Sequence, residues 1–247
     1  RKEVSSLKDI DKYAYEGVVS AEDKGFYTHG AIDVVATVKS VIVGSGGGSG
    51  ITQQLIKNLI YYNSLSTSTE KNNAVKTTVT RKLKELKLAT EYERTHSKND
   101  ILLSYMNTVA MGSPNTYGVE TAAETIFGKS AKDLDLAESS ALAGSVNNPS
   151  LYNLMEISDA STLQRVKTRQ AYVLNRMFAD GKITRDQLER ASKETLETTP
   201  DIARGCSCHS KYSSSCQHVI VYLPPYRALD DPAQEPYCPL ASGGTLI

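Results

Sequence analysis

Between residues 8 and 196 the apolar side chains recur every three or four positions, and no alternating apolar–polar run appears before residue 217. That regularity confines the chain to helix packed on helix, because a stripe at helical period must be buried and no strand pattern offers a sheet to bury it against. A helix over residues 13–27 puts Tyr15, Val18, Val19, Glu22 and Phe26 on one stripe. Asp33 reads as the N-cap of a helix carrying Val34, Val35, Val38, Val41 and Ile42, although its β-branched residues weaken that helix. Further stripes are Ile51, Leu55, Ile56, Leu59 and Ile60; Val75, Val79, Leu83 and Leu86; Ile101, Leu102, Tyr105 and Met106, opened by Ser97; and Val119, Ala122, Ala123, Ile126 and Phe127.

The later helices carry their own punctuation. Asp135 and Glu138 form a capping box before a helix that ends at Gly144. A long helix follows over 159–180, stopped by Gly181. The next opens at Thr184 with Gln187 completing its box, and Ile183 with Leu188 staple its entry. The pattern predicts a mainly α-helical domain over residues 8–197, without an internal repeat.

All four cysteines, Cys206, Cys208, Cys216 and Cys238, come after that domain. The change of composition sets a boundary near Thr198–Pro200, so residues 198–247 read as a linker segment. The 28 basic and 28 acidic side chains cancel, which gives no argument for nucleic acid. No apolar run approaches the ~18 residues of a membrane span, and no signal peptide opens the chain. The sequence begins at Arg1-Lys2 without methionine and reads as a piece of a longer protein, with any anchor outside it.

Two carboxylates stand out. Glu22 falls on an apolar stripe, where loss of water raises proton affinity and suits acid–base work. Asp23 beside it points about 100° away and cannot share the task. Glu85 lies four residues after Arg81 and three after Lys82. Taken alone, each carboxylate reads better as a rim or surface residue, and the Arg81–Glu85 pair is worth only ~0.3–0.5 kcal/mol. The glycine–serine run 44–50 and the polar run 63–73 read as loops.

Order along the chain joins these pieces. Glu22, Asp23, Phe26, His29 and Asp33 come first, with Ala31 among them; then Gly47, Gly48, Ser49, Gly50, Ile51, Thr52, Gln53, Gln54, Lys57 and Asn58; then Arg81, Lys82 and Glu85. Lys98, Ile101, Leu102, Leu103, Tyr105, Met106 and Asn107 follow, and Tyr117, Gly118, Val119, Glu120, Ala122, Ala123, Phe127, Gly128 and Lys129 close the series. These five ordered motifs resemble the peptidoglycan glycosyltransferases, glycosyltransferase family 51, the glycan-polymerising half of bifunctional penicillin-binding proteins. The departures are Ala31 for glycine, Gly50 for threonine, Leu103 for glutamate and Ile126 for tyrosine. Run 63–73 looks like an insertion between the second and third motifs.

The resemblance implies a lysozyme-like helical fold and polymerisation of lipid II at the outer face of the cytoplasmic membrane. It implies catalytic roles for Glu22, as base, and Glu85. It implies substrate contacts from Asp23, Phe26, His29, Ser49, Thr52, Gln53, Gln54, Lys57, Asn58, Arg81 and Lys82, with Asp23 also steadying the Asp33 turn. A divalent cation, Mg or Mn, is the expected helper at the departing pyrophosphate. The expected partners are lipid II, the growing glycan strand, the membrane surface, and cell-wall synthesis and division proteins. Leu59–Ile60 with Tyr61–Tyr62 is the local candidate for the membrane face, and plain core is an equal alternative. Cys206 with Cys216 resembles a cysteine pair of actinobacterial members; zinc fits poorly, because Cys-x-Cys-His is too cramped. The closing SGGTLI resembles the entry to a transpeptidase region, and without an S-x-x-K motif no transpeptidase activity is expected here. Two other readings compete: a lysozyme-like lytic enzyme with Glu22 as general acid, and an inactive helical domain that binds glycan or a partner.

Overall fold

The computed structural model describes residues 2–31, 49–59 and 79–199, with the side chains of 79–81 outside that description. The chain divides into Arg1–Thr198 and Thr199–Ile247, and every described helix belongs to the first unit. The expected helix after Asp33, the run 63–73, Ile60 to Tyr62 and all four cysteines lie outside the described residues.

Eight α-helices are described. They are α1 (Lys12–Glu22), α2 (Ile51–Lys57), α3 (Val79–Thr95), α4 (Lys98–Thr108), α5 (Val119–Phe127), α6 (Leu136–Ser145), α7 (Ala160–Ala179) and α8 (Arg185–Lys193). Among the described residues β pairing is limited to an isolated bridge between Ala110 and Tyr117. The fold is therefore mainly α, as the periodicity predicts.

Several helix starts follow from their caps. Ser97 and Asp100 close a capping box on α4, Asp135 and Glu138 on α6, and Thr184 and Gln187 on α8. Asp159 caps α7, and Gly181 leaves it at φ +68°, a conformation glycine adopts without strain. The predicted stripes of α4 and α5 are buried: Ile101, Leu102, Tyr105 and Met106 are at 0% exposure, as are Val119, Ala122 and Ala123. Each fully buried large apolar side chain contributes ~1.5–3 kcal/mol against exposure. Helices α1, α6 and α7 pack on one another, while α2 packs on α3 and α4.

Three local expectations are corrected. The first helix ends at Glu22 rather than 27, because Asp23 leaves helical conformation (φ −156°) and turns its carboxylate to other partners. Phe26 still reaches the core, at 0% exposure, by way of the following turn. On α3 the apolar stripe fails: Leu83 is 61% exposed and Leu88 42%, whereas Glu85 and Ala89 are buried. The inward side of α3 thus carries a carboxylate, one helical turn before Ala89. Gly144 does not end α6, which runs to Ser145. It sits where a Cβ would lie 3.1 Å from Cγ of Arg169, so its lack of a side chain lets α7 bring that arginine close.

Candidate active site

Glu22 is the last residue of α1, and its side chain is only 10% exposed. One carboxylate oxygen, Oε1, accepts from Arg169 Nη2 at 3.1 Å. The other, Oε2, accepts from Gln54 Nε2 at 3.4 Å. Loss of water pushes its proton affinity above the ordinary glutamate range; the Arg169 charge and the Gln54 hydrogen bond pull the other way without cancelling it. Its place at the negative end of a helix acts in the same direction as burial.

Arg169 belongs to none of the five sequence motifs. Its Nε donates to the Gly144 carbonyl at 3.2 Å, and its guanidinium lies 4.5 Å from the ring centre of Tyr172 and 5.9 Å from that of Tyr152. The available signal was positional: Arg169 lies three residues after Val166 and four before Val173, both buried, so a charge sits on the inward stripe of α7.

Asp23 binds two groups at once. Its Oδ2 accepts from the Ile51 amide at 2.9 Å, and its Oδ1 lies 2.6 Å from His29 Nε2. The first contact caps α2 from outside, since Gly50 at the N-cap has no side chain to do so. A Cβ on Gly50 would fall 2.6 Å from Asp23 Oδ2, so the glycine leaves room for that carboxylate. His29 Nδ1 faces the Gly30 carbonyl at 2.5 Å. Burial lowers its proton affinity, but these two acceptors raise it by more, so the ring holds protons on both nitrogens above the usual histidine range.

A second cluster begins at Ser49. Its hydroxyl accepts from Lys82 Nζ at 2.5 Å, and Lys82 Nζ lies 3.6 Å from Oε2 of the buried Glu85. Its carbonyl accepts from Gln54 Nε2 at 3.1 Å, the same amide that reaches Glu22. Ser49 thereby links the Glu22 side to the Lys82–Glu85 side.

Other residues of the second motif face inward. Thr52 donates to Glu93 Oε1 at 2.5 Å, and Lys98 Nζ approaches the same oxygen at 2.8 Å while lying 4.7 Å over the Phe26 ring. Gln53 donates to the Ala31 carbonyl at 3.0 Å. The side chains of Phe26, Thr52 and Gln53 are buried against protein groups. Lys57 ends α2 and Asn58 is its C-cap, both half-buried, and Leu59 packs against the core. Arg81 is on α3, with its side chain outside the described residues; Asp33 and Gly47–Gly48 also lie outside them.

Comparison with known proteins identifies the family. The family model described as Transglycosylase matches residues 1–178. Penicillin-binding protein 1A of Neisseria flavescens is 39% identical over 202 residues, covering 79% of this chain and 23% of that protein. Penicillin-binding protein 1A of Rickettsia prowazekii is 34% identical over 194 residues, covering 75% of this chain and 22% of the relative. The chain thus spans under a quarter of the length of these relatives. Neither genus supports the actinobacterial attribution suggested by the cysteine pair. A crystal structure of penicillin-binding protein 1A from Haemophilus influenzae aligns over 44% of this chain and 16% of its own, at 32% identity and a TM-score of 0.37.

Proposed function

This chain belongs to the transglycosylase family, and from that premise and the surroundings of Glu22 we propose that it is a peptidoglycan glycosyltransferase that polymerises lipid II. The acceptor sugar's 4-hydroxyl attacks the donor's anomeric carbon. The bond to the polyprenyl pyrophosphate breaks, its electron pair leaves with the pyrophosphate oxygen, and the α link becomes β in one inverting step. Glu22 takes the hydroxyl proton. A carboxylate with few waters is the stronger base, and the contacts from Arg169 and Gln54 keep it ionised and aimed.

On the other side charge builds on pyrophosphate, which requires cations placed in advance. Lys82 supplies one, held against the Ser49 hydroxyl and the Glu85 carboxylate. Lys57 and Arg81 are further candidates on α2 and α3. Glu85 orients Lys82 rather than reacting. The observation that carries the reading is Ser49, which bridges base side and cation side through one residue. A lytic enzyme would not require that cationic half.

A divalent cation enters the proposal only with the substrate. Among the described residues no three His, Cys, Asp or Glu side chains converge on one point. Among the described residues no helix is long and apolar enough to cross a membrane. We place the protein at the outer face of the cytoplasmic membrane, where the lipid of its substrate resides.

The test is to incubate the full chain with labelled lipid II in detergent. Growth of polymer that Glu22→Gln abolishes is expected. Shortened glycan, no reaction by the parent chain, or a Glu22→Gln variant polymerising at the parent rate would each refute the assignment.

A further inference from the structure

The Gln54 amide presents its NH2 to Glu22, and this orientation has a cause outside the cleft. Tyr105, on α4, is at 0% exposure and donates its hydroxyl to Gln54 Oε1 at 2.7 Å. The opposite end of the amide meets two acceptors, Glu22 Oε2 at 3.4 Å and the Ser49 carbonyl at 3.1 Å. An amide flipped by half a turn would set its oxygen against a carboxylate and a carbonyl. It would also leave the buried phenol without the acceptor it now has, a cost of the kind borne by any unsatisfied buried polar group. All three contacts therefore favour one orientation, and Tyr105 is the one that comes from the core.

We propose that Tyr105 is a positioning residue for the transfer reaction: by holding Gln54 Oε1 it fixes which end of that amide meets the Glu22 carboxylate. This rests on the reading of Glu22 as the base. Tyr105 touches no substrate and acts only through Gln54. Burial raises the phenol's own proton affinity well above the ordinary tyrosine value, aided by the nearby Glu22 and Asp23 charges, so it stays a donor at every pH the protein meets.

Among the described residues, the groups facing Glu22 are Arg169 from α7, Gln54 from α2, Asp23 next to it in the chain and Tyr105 from α4. Of these, Arg169 and Gln54 favour the ionised carboxylate and Asp23 opposes it. If Tyr105 loses its hydroxyl, the Gln54 amide is released and its donation to Glu22 weakens. Glu22 then holds its proton to higher pH, and the acidic limb of the rate profile moves upward. An ordinary hydrogen bond sets the size: the rate on the acidic limb should fall about three- to tenfold. The alkaline plateau and KM should change little.

The experiment measures initial rates of lipid II polymerisation against pH for the full chain, Tyr105→Phe, Gln54→Leu and the double variant. Thermal melting of each checks folding. We expect Tyr105→Phe to move the limb upward, Gln54→Leu to move it at least as far, and the double variant to match Gln54→Leu. A purely structural role for Tyr105 would instead lower the plateau at every pH. An unmoved limb in Tyr105→Phe, or an additional shift when it is placed on Gln54→Leu, overturns the proposal. Should Tyr105→Phe not fold, an unmoved limb in Gln54→Leu overturns it equally. A parent chain that forms no polymer sinks the reading of Glu22 itself, whereas an active parent with an unmoved limb sinks only the role of Tyr105.

Discussion

Replacing Arg169 by methionine keeps much of the side-chain stem and removes the charge. In the parent, Arg169 Nη2 is 3.1 Å from Glu22 Oε1, with the two side chains 16% and 10% exposed. So little water reaches the pair that screening reduces its strength only moderately. A hydrogen bond to a charged group contributes ~1.5–3 kcal/mol, and ~1.4 kcal/mol is a tenfold change in the ratio of ionised to protonated carboxylate. Below the acidic limb, Arg169→Met should therefore polymerise about 10- to 100-fold more slowly than the parent. Removing Arg169 raises the proton affinity of Glu22 further, because the charge that opposes burial is gone. The limb should move to higher pH, with recovery on its alkaline side. Initial rates on labelled lipid II across pH decide it. A limb that stays in place or moves down would show that Arg169 does not hold the base ionised.

Glu22→Gln should become increasingly favourable to stability, relative to the parent, as pH rises. The folded-state proton affinity of Glu22 is raised, so the parent loses stability as pH climbs from the ordinary glutamate range through that raised value. Melting temperatures of both proteins at a series of pH values test the trend. Gly50→Ala should cost ~1 kcal/mol, the usual worth of a helix cap, since the new Cβ would fall 2.6 Å from Asp23 Oδ2 and push it off the Ile51 amide; urea unfolding measures it. Asp159 has its carboxyl lowered to about 2, first by the Ser161 hydroxyl and then by the Thr162 amide and hydroxyl. Its advantage over Asp159→Asn should thus hold above the ordinary aspartate range and vanish as pH falls through about 2, read as converging melting temperatures.

Local signals were the ones legible in the sequence. The boxes at Ser97, Asp135 and Thr184 close within one turn, so residues three apart suffice to read them. The stripe of α5 is apolar at every buried position and that of α4 at all but Asn107, so period alone finds them. On α3 the period misleads, because its inward positions include Glu85, while Leu83 faces outward. Family motifs indicated Glu22, Gln54, Ser49 and Lys82, but not how they connect. Arg169 reaches Glu22 across 147 positions of sequence, and Tyr105 reaches Gln54 across 51. Spacing puts both residues on inward stripes without naming the partner, and each contact depends on helices packed by residues far from both. The end of α1 at Glu22 was hidden for the same reason: Asp23 leaves the helix for an amide 28 residues later.

That last contact also bears on how the protein folds. Helix α2 continues as π-helix at Asn58 and Leu59, and its first amide is tied to the side chain that follows α1. The start of the helix bearing Gln54 is therefore coupled to the end of α1 through Asp23. Closing that contact joins residues 28 positions apart, and slow deuterium uptake at the Ile51 amide would mark its completion.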